Sequence, residues 1–329
     1  MSLHVLEFVR DTQGLWVLPA ECLARLRARF AGVSFSAPPT QADADALLPE
    51  VDVVVGSAVK PHNLSSAARL RWIHSPAAGV GHLLFPALIE SPVIVTNSRG
   101  LHAVDMAEHA LAMMLEFARK LHLARDDQHA KAWQPDRLWK QPAELRRLEG
   151  STVLVIGLGA VGSAIATRAR AFGMRVLAVR RHPRSNPEPA TEQHGLDALH
   201  ACLGRAEWVV LAAPLTGESL GLIGRREIES MRPDAVLVNL GRGKLVDETA
   251  LVEALQSGRI AGAALDVFEK EPLPADSPLW TMPQVIVSPH VSGLGPRYWE
   301  RLVDIFAGNL ERFIRGETLH NLVDKRAGY

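Results

Sequence analysis

Residues 153–173 read VLVIGLGAVGSAIATRARAFG, and no other stretch restricts the fold so tightly. The run TVLVIG (152–157) is short, apolar and rich in β-branched residues, as in a buried strand. It meets Gly157, Gly159 and Gly162 in GxGxxG spacing, and the residues beyond read as a helix to Phe172. Such spacing alone is weak. Between a strand and a helix it predicts a tight turn at Gly157, close approach of a pyrophosphate at Gly159, and close helix–strand packing at Gly162. The backbone from Gly157 through Ala160 and Val161 to Gly162 is then a candidate dinucleotide site, because a helix N-terminus offers unpaired N–H groups and partial positive charge. The plainer alternative is three glycines in an ordinary βα turn.

The surrounding pattern repeats the strand–helix alternation. Further strands are expected at 175–179, 208–213, 235–239, 261–267 and 284–288, giving a doubly wound parallel sheet of six strands. Upstream, strands are expected at 4–9, 51–56, 71–74 and 93–97, with helices at 19–30 and 81–90. A longer helix is expected over 104–121, a surface connection over 133–150, and an amphipathic helix over 297–316. A chain of 329 residues with this double rhythm predicts two α/β domains.

Three polar residues fall just beyond three of these strands. Arg242 follows VLVN in the string VNLGRG, Glu271 follows LDV, and His290 follows VIVS. In a parallel sheet all three emerge at the carboxyl edge, where open α/β sheets bind ligands. A histidine can protonate a carbonyl oxygen as hydride arrives, and a carboxylate can orient it. An arginine can grip a substrate carboxylate through two parallel N–H···O bonds. Together they point to hydride transfer between a dinucleotide and a 2-oxo/2-hydroxy acid pair. Taken singly, each could be an ordinary turn or surface residue, and the other twelve of the 13 histidines are expected to be surface or core residues.

The strand RVLAV (175–179) ends on Arg180 and Arg181, with Arg184 close behind. An acid at this place would bind the ribose hydroxyls of NAD. Three guanidinium groups instead predict a grip on the 2′-phosphate of NADP(H) by Arg180 and Arg181, with Arg184 adding field. NADP(H) is the preferred cofactor on this reading, and NAD(H) stays possible. The alternative is a solvated basic loop.

Composition narrows the partners. Thirty-six basic residues balance thirty-six acidic ones, which argues against a general nucleic-acid binder. No apolar run reaches the ~18 residues of a membrane span. Cys22 and Cys202 form no framework, and MSLHVLEFVR reads as a first strand rather than a signal peptide, so a cytoplasmic location is expected. No HExxH or clustered Cys/His predicts a metal site.

The strings GLGAVGSAIATRARAFGMRV, APLTGESLGLIG, VNLGRGKLVDETALVEAL, GAALDVFEKEPLP and VSPH, in this order, resemble the D-isomer-specific 2-hydroxyacid dehydrogenases over nearly the whole chain. The reductases of glyoxylate, hydroxypyruvate and other 2-oxo acids in that family are the type implied. The resemblance implies Arg242 as carboxylate clamp, His290 as acid/base and Glu271 as its partner. It implies a flavodoxin-like substrate domain (1–102 and 292–329) and a Rossmann domain (103–291) with a cleft between. Ala78, Gly79 and Val80 would receive the substrate carboxylate, Asp266 would sit near the nicotinamide amide, and Pro214 and Leu240 would line the cofactor. A homodimer is implied too. Met106 replaces a common valine, and His74, just before the substrate loop, is expected to be structural. A non-catalytic dinucleotide-sensing corepressor and a formate-dehydrogenase-like enzyme are the alternatives; the intact trio disfavours the first, and Glu271 in place of glutamine the second.

Overall fold

The computed structural model describes residues 3–10, 16–139 and 145–328. The chain divides into two compact units, Met1–Leu101 with Gly295–Tyr329, and His102–Leu294. Each is built on one parallel sheet.

The first unit begins with β1 (Leu3–Phe8), α1 (Ala20–Arg29), β2 (Val33–Ser36), α2 (Gln41–Leu47), β3 (Val53–Gly56), β4 (Trp72–Ser75), α3 (Pro86–Glu90) and β5 (Ile94–Asn97). The strands order β2-β1-β3-β4-β5, all parallel. This is the flavodoxin-like doubly wound order. Alternation along the strands sends Val5, Val53, Val55 and Trp72 to one core and Leu6, Val54, Ile73 and Val95 to the other. The helix expected at 81–90 starts only at Pro86, because proline takes the first helical position and forbids the turn before it.

The second unit runs α4 (Ala103–Arg119), α5 (Leu121–His129), α6 (Pro135–Trp139), β6 (Thr152–Ile156), α7 (Ala160–Ala171), β7 (Arg175–Val179), β8 (Glu192–His194), α8 (Leu199–Leu203), β9 (Trp208–Leu211), α9 (Arg225–Ser230), β10 (Val236–Asn239), α10 (Glu248–Gln256), β11 (Gly262–Leu265) and β12 (Val285–Val287). The chain then returns to the first unit as α11 (Tyr298–Ile314), whose Val303, Phe306, Ala307 and Leu310 complete the core around Trp72.

The second sheet has seven strands rather than six, ordered β12-β11-β10-β9-β6-β7-β8. The added β8 reads EQH, with no apolar residue, and it pairs only with β7 at the sheet's edge. The expected helix at 104–121 ends at Arg119, because Lys120 turns left-handed at φ 53° and α5 starts afresh. The connection 133–150 carries α6, and its residues 140–144 lie outside those described. All pairings in the sheet are parallel, so the loops after β6, β7, β9, β10, β11 and β12 leave one edge. The strand order reverses between β6 and β9, the switch point where such sheets open a crevice. Among the described residues no helix is long and apolar enough to cross a membrane.

Candidate active site

The glycine turn lies at that switch point. Gly157 has φ +95°, and a Cβ there would sit 2.6 Å from the Ala213 nitrogen in the loop after β9. A Cβ at Gly162 would sit 1.9 Å from the Gly157 oxygen, so α7 could not pack this close to β6 with any larger residue. Above Gly159 a Cβ would meet nothing within 4 Å, and no side chain caps α7. Two glycines thus close the turn while the third leaves the helix N-terminus open, with Ala160 exposed and Val161 half-buried. These residues fit a dinucleotide pyrophosphate. Pro214 is exposed, and its carbonyl accepts a hydrogen bond from Ser219 Oγ at 2.7 Å. Leu240 departs from expectation. Its side chain is packed in the core, so only its backbone could border a cofactor.

Beyond β7 the three arginines separate. Arg181 forms an ion pair with Glu218, in the loop after β9. Arg180 is half-buried; burial first, then the like charge of Arg184, holds its guanidinium below its ordinary value, though arginine stays protonated near neutral pH. Neither Arg180 nor Arg184 has a carboxylate partner among the described residues. Two neighbouring cations with no carboxylate partner among the described residues favour an anion between them. Arg184, expected only to add field, is therefore Arg180's companion here, whereas Arg181 is already paired.

At the ends of β10, β11 and β12 the expected trio divides into a bonded pair and a separate arginine. His290 Nδ1 lies 2.7 Å from Glu271 Oε2. The other oxygen, Oε1, accepts from the Phe268 N–H at 3.0 Å, which fixes the carboxylate. With Nδ1 engaged, Nε2 is the nitrogen left for a substrate. Arg242 is exposed, and its loop is pinned by buried Asn239, which accepts from Gly241 N–H and donates to the Arg242 carbonyl, both at 3.0 Å. A Cβ at Gly243 would overlap the Phe268 backbone, so the arginine loop and the Glu271 loop are held in contact.

Asp266, expected near the nicotinamide amide, is fully buried. Its Oδ1 accepts from Ser288 Oγ at 2.5 Å and Val291 N–H at 3.0 Å, and its Oδ2 accepts from Ser292 N–H at 3.0 Å. Its backbone carbonyl also takes the His290 N–H at 2.9 Å. The carboxylate is thus spent on the loop that carries His290, a residue held at φ 53°. Met106 is partly buried and packs against the hydrophobic core that α4 covers.

In the first unit, the Ala77 carbonyl accepts from Ser75 Oγ at 3.0 Å and from Ser98 N–H at 3.3 Å, while the Ala78 carbonyl accepts from Asn97 Nδ2 at 2.8 Å. A trans peptide points its N–H opposite its C=O. The N–H groups of Ala78 and Gly79 therefore turn away from these partners, and they make no hydrogen bond among the described residues. Val80 is buried, and its carbonyl closes the next turn by accepting from Leu83 N–H at 2.8 Å. His74, directly upstream, is fully buried; Nδ1 lies 2.8 Å from Thr96 Oγ1 and Nε2 3.2 Å from Ser98 Oγ. Ser98 spends its hydrogen on the Ser75 carbonyl, so Nε2 must donate and Nδ1 must accept. The ring is neutral, and burial pushes its pKa down to about 3.

Asn97, Asn239, Glu218 and Ser288 escaped the sequence reading. Asn97 and Asn239 each end a strand, which was the available clue. Glu218 and Ser288 act through partners 37 and 22 residues away, and no local pattern marks them.

A family model described as "D-isomer specific 2-hydroxyacid dehydrogenase, NAD binding domain" matches residues 111–292. The glyoxylate reductase of Korarchaeum cryptofilum is 34% identical over 269 residues, covering 79% of this chain and 78% of that protein. A D-isomer specific 2-hydroxyacid dehydrogenase from Xanthobacter autotrophicus, solved with NADPH and MES, superposes with TM-score 0.82 at 29% identity, covering all of both chains (100% of each). An NADPH-dependent glyoxylate/hydroxypyruvate reductase from Sinorhizobium meliloti, solved with NADP and sulfate, gives TM-score 0.82 at 27% identity, covering 99% of this chain and 100% of that one.

Proposed function

This chain belongs to the D-isomer-specific 2-hydroxyacid dehydrogenases, NAD(P)-dependent oxidoreductases, and from that premise we propose that it is an NADPH-preferring reductase of small 2-oxo acids. The observation that carries the reading is the 2.7 Å contact between His290 and Glu271 at the sheet edge that also bears the open glycine turn. Bound at that turn, the nicotinamide cofactor supplies the hydride for the substrate's carbonyl carbon. His290 gives the proton from Nε2 to the carbonyl oxygen, and the Glu271 carboxylate favours the imidazolium that carries it. Arg242 holds the substrate carboxylate and polarises the carbonyl beside it. The amides of Ala78 and Gly79, which make no hydrogen bond among the described residues, suit a carboxylate, the part of the substrate that the resemblance assigns to them.

Arg180 and Arg184 hold the 2′-phosphate in this reading; the cofactor choice draws support from similar proteins solved with NADPH or NADP. Glyoxylate and hydroxypyruvate are the first candidate substrates, because similar proteins bear those names. A homodimer is the assembly that the resemblance implies, and light scattering on the eluted protein measures it.

The test is a panel of 2-oxo acids, an uncharged ketone and formate, each offered with the appropriate form of either cofactor and followed at the reduced-nicotinamide absorbance. Turnover of 2-oxo acids with NADPH supports the reading. Oxidation of formate, or binding of cofactor without any turnover, refutes it in favour of the two alternatives.

A further inference from the structure

His109 stands on α4 in the string DMAEHALAMML, and it is one of the histidines expected to have no role in the chemistry. Its side chain is three-quarters buried, and Nε2 lies 3.1 Å from Ser288 Oγ and 3.9 Å from Asp266 Oδ1. Ser288 has one hydroxyl hydrogen, and the 2.5 Å contact with the Asp266 carboxylate uses it. His109 must therefore be the donor to Ser288. The hydrogen bonds run in one direction, from His109 Nε2–H to Ser288 Oγ–H to Asp266 Oδ1.

That carboxylate is the anchor of the His290 loop. It takes the N–H groups of Val291 and Ser292, and its own residue's carbonyl takes the N–H of His290. His290 is thereby held at φ 53°, a left-handed backbone that a non-glycine residue seldom adopts without support. A buried carboxylate needs every hydrogen bond it can accept. A hydroxyl that is itself hydrogen-bonded by a donor is a stronger donor in turn.

We propose that His109 is a positioning residue for His290, acting through Ser288 and Asp266. Its contribution is a donated hydrogen bond at Nε2, which orients the Ser288 hydroxyl onto the carboxylate and so fixes the backbone on which the proton donor stands. The proposal rests on the reading of His290 as that donor, and its structural part can be measured without any turnover.

Three single variants and one double variant test it. His109→Leu removes the donor, His109→Gln keeps an N–H near the position of Nε2, and Ser288→Ala breaks the chain at its middle. In the cofactor-free enzyme, amide exchange at Val291 and Ser292 should quicken in His109→Leu and Ser288→Ala and stay at the parent rate in His109→Gln. In turnover, a shift on the order of 1 Å at a reacting group costs on the order of a hundredfold. His109→Leu and Ser288→Ala should each lower kcat by ~10- to 100-fold with cofactor Kd little changed, and the double variant should be no worse than the poorer single. His109→Gln should recover most of the rate. The proposal is overturned if His109→Gln is as impaired as His109→Leu in exchange and kcat, if the two losses multiply in the double variant, or if the losses appear in KM and cofactor Kd while kcat holds. Should the parent enzyme reduce no 2-oxo acid, the functional reading fails, whereas the amide-exchange pattern still decides whether His109 governs the loop.

Discussion

Removing Arg180, Arg181 and Arg184 one at a time separates the arginines proposed to hold a phosphate from the one held by the protein itself. A charge-assisted hydrogen bond nets ~1.5–3 kcal/mol, or about ten- to a hundredfold in affinity. Arg180→Ala should cost NADPH that factor in kcat/KM, since its guanidinium stands beside Arg184 with no carboxylate partner among the described residues. Arg184→Ala should cost a similar factor, because a phosphate between the two relieves their repulsion. Arg181 is bound to Glu218 in an exposed pair, and such pairs are worth ~0.2–1 kcal/mol. Arg181→Ala should therefore change NADPH kcat/KM by roughly fivefold at most. NADH has no 2′-phosphate, so its rate should hold in all three variants. Arg180→Asp goes further, placing an acceptor for the ribose hydroxyls and repelling the phosphate, and should erode or reverse the preference. The assay is initial rate at saturating 2-oxo acid, with each reduced cofactor varied in turn. The parent enzyme should prefer NADPH at least about tenfold, and raised salt should narrow that gap as the Debye length contracts. Equal kcat/KM for the two cofactors in the parent enzyme would show that these arginines serve another purpose. A loss in Arg181→Ala as large as in Arg180→Ala would show that the pair with Glu218 gives way to the phosphate.

His290→Ala should lower kcat by ~10²–10⁴-fold with cofactor affinity little changed; turnover at the parent rate would sink the proton-donor assignment. Glu271→Gln keeps a hydrogen bond but exchanges a charged acceptor for a neutral one, a difference of ~1 kcal/mol, so roughly a fivefold fall in kcat is expected. Arg242→Lys keeps the charge and loses the fork, and kcat/KM for 2-oxo acids should drop more than charge alone implies; an uncharged ketone turned over as well as its 2-oxo acid counts against the clamp. His74 is neutral in the fold with its pKa pushed down to about 3, against 6.5 ordinarily, so its contribution to stability is complete above pH 6.5 and is lost as pH falls from there toward 3. Between pH 7 and 5 the parent should lose about 2 kcal/mol more unfolding free energy than His74→Gln, measured by urea titration; parallel losses would contradict that account.

Much of this was legible because parallel sheets write their function at strand ends. Arg242, Glu271 and His290 could be assigned to one edge from their positions after three apolar runs. The 2.7 Å contact between two of them is the part only a structure supplies. Strand β8 was illegible because EQH has no apolar residue, its pairing being set by the backbone of β7. Strand β2 was passed over because VSFS has only four residues and a single buried one, Phe35. The partners of Arg181 and Asp266 could not be read because ion pairs and hydrogen bonds between loops leave no periodicity. Arg184 shows the same limit, since its approach to Arg180 depends on how the loop after β7 bends.

The return of the chain to its first unit as α11 has a consequence for synthesis. Trp72 stacks on Phe306 with ring centroids 5.2 Å apart, and Phe306, Ala307 and Leu310 cover one face of a sheet whose last strand ends at Asn97. On the ribosome, five strands are made long before the helix that covers them, and the whole second unit emerges in between. During that interval an apolar face lacks its lid while the glycine turn and its sheet can already close, since β6 to β12 all belong to the unit His102–Leu294. The first unit is thus the late-maturing one, and its half-covered sheet is the surface that a chaperone would shield or that would aggregate if translation stalled before Phe306.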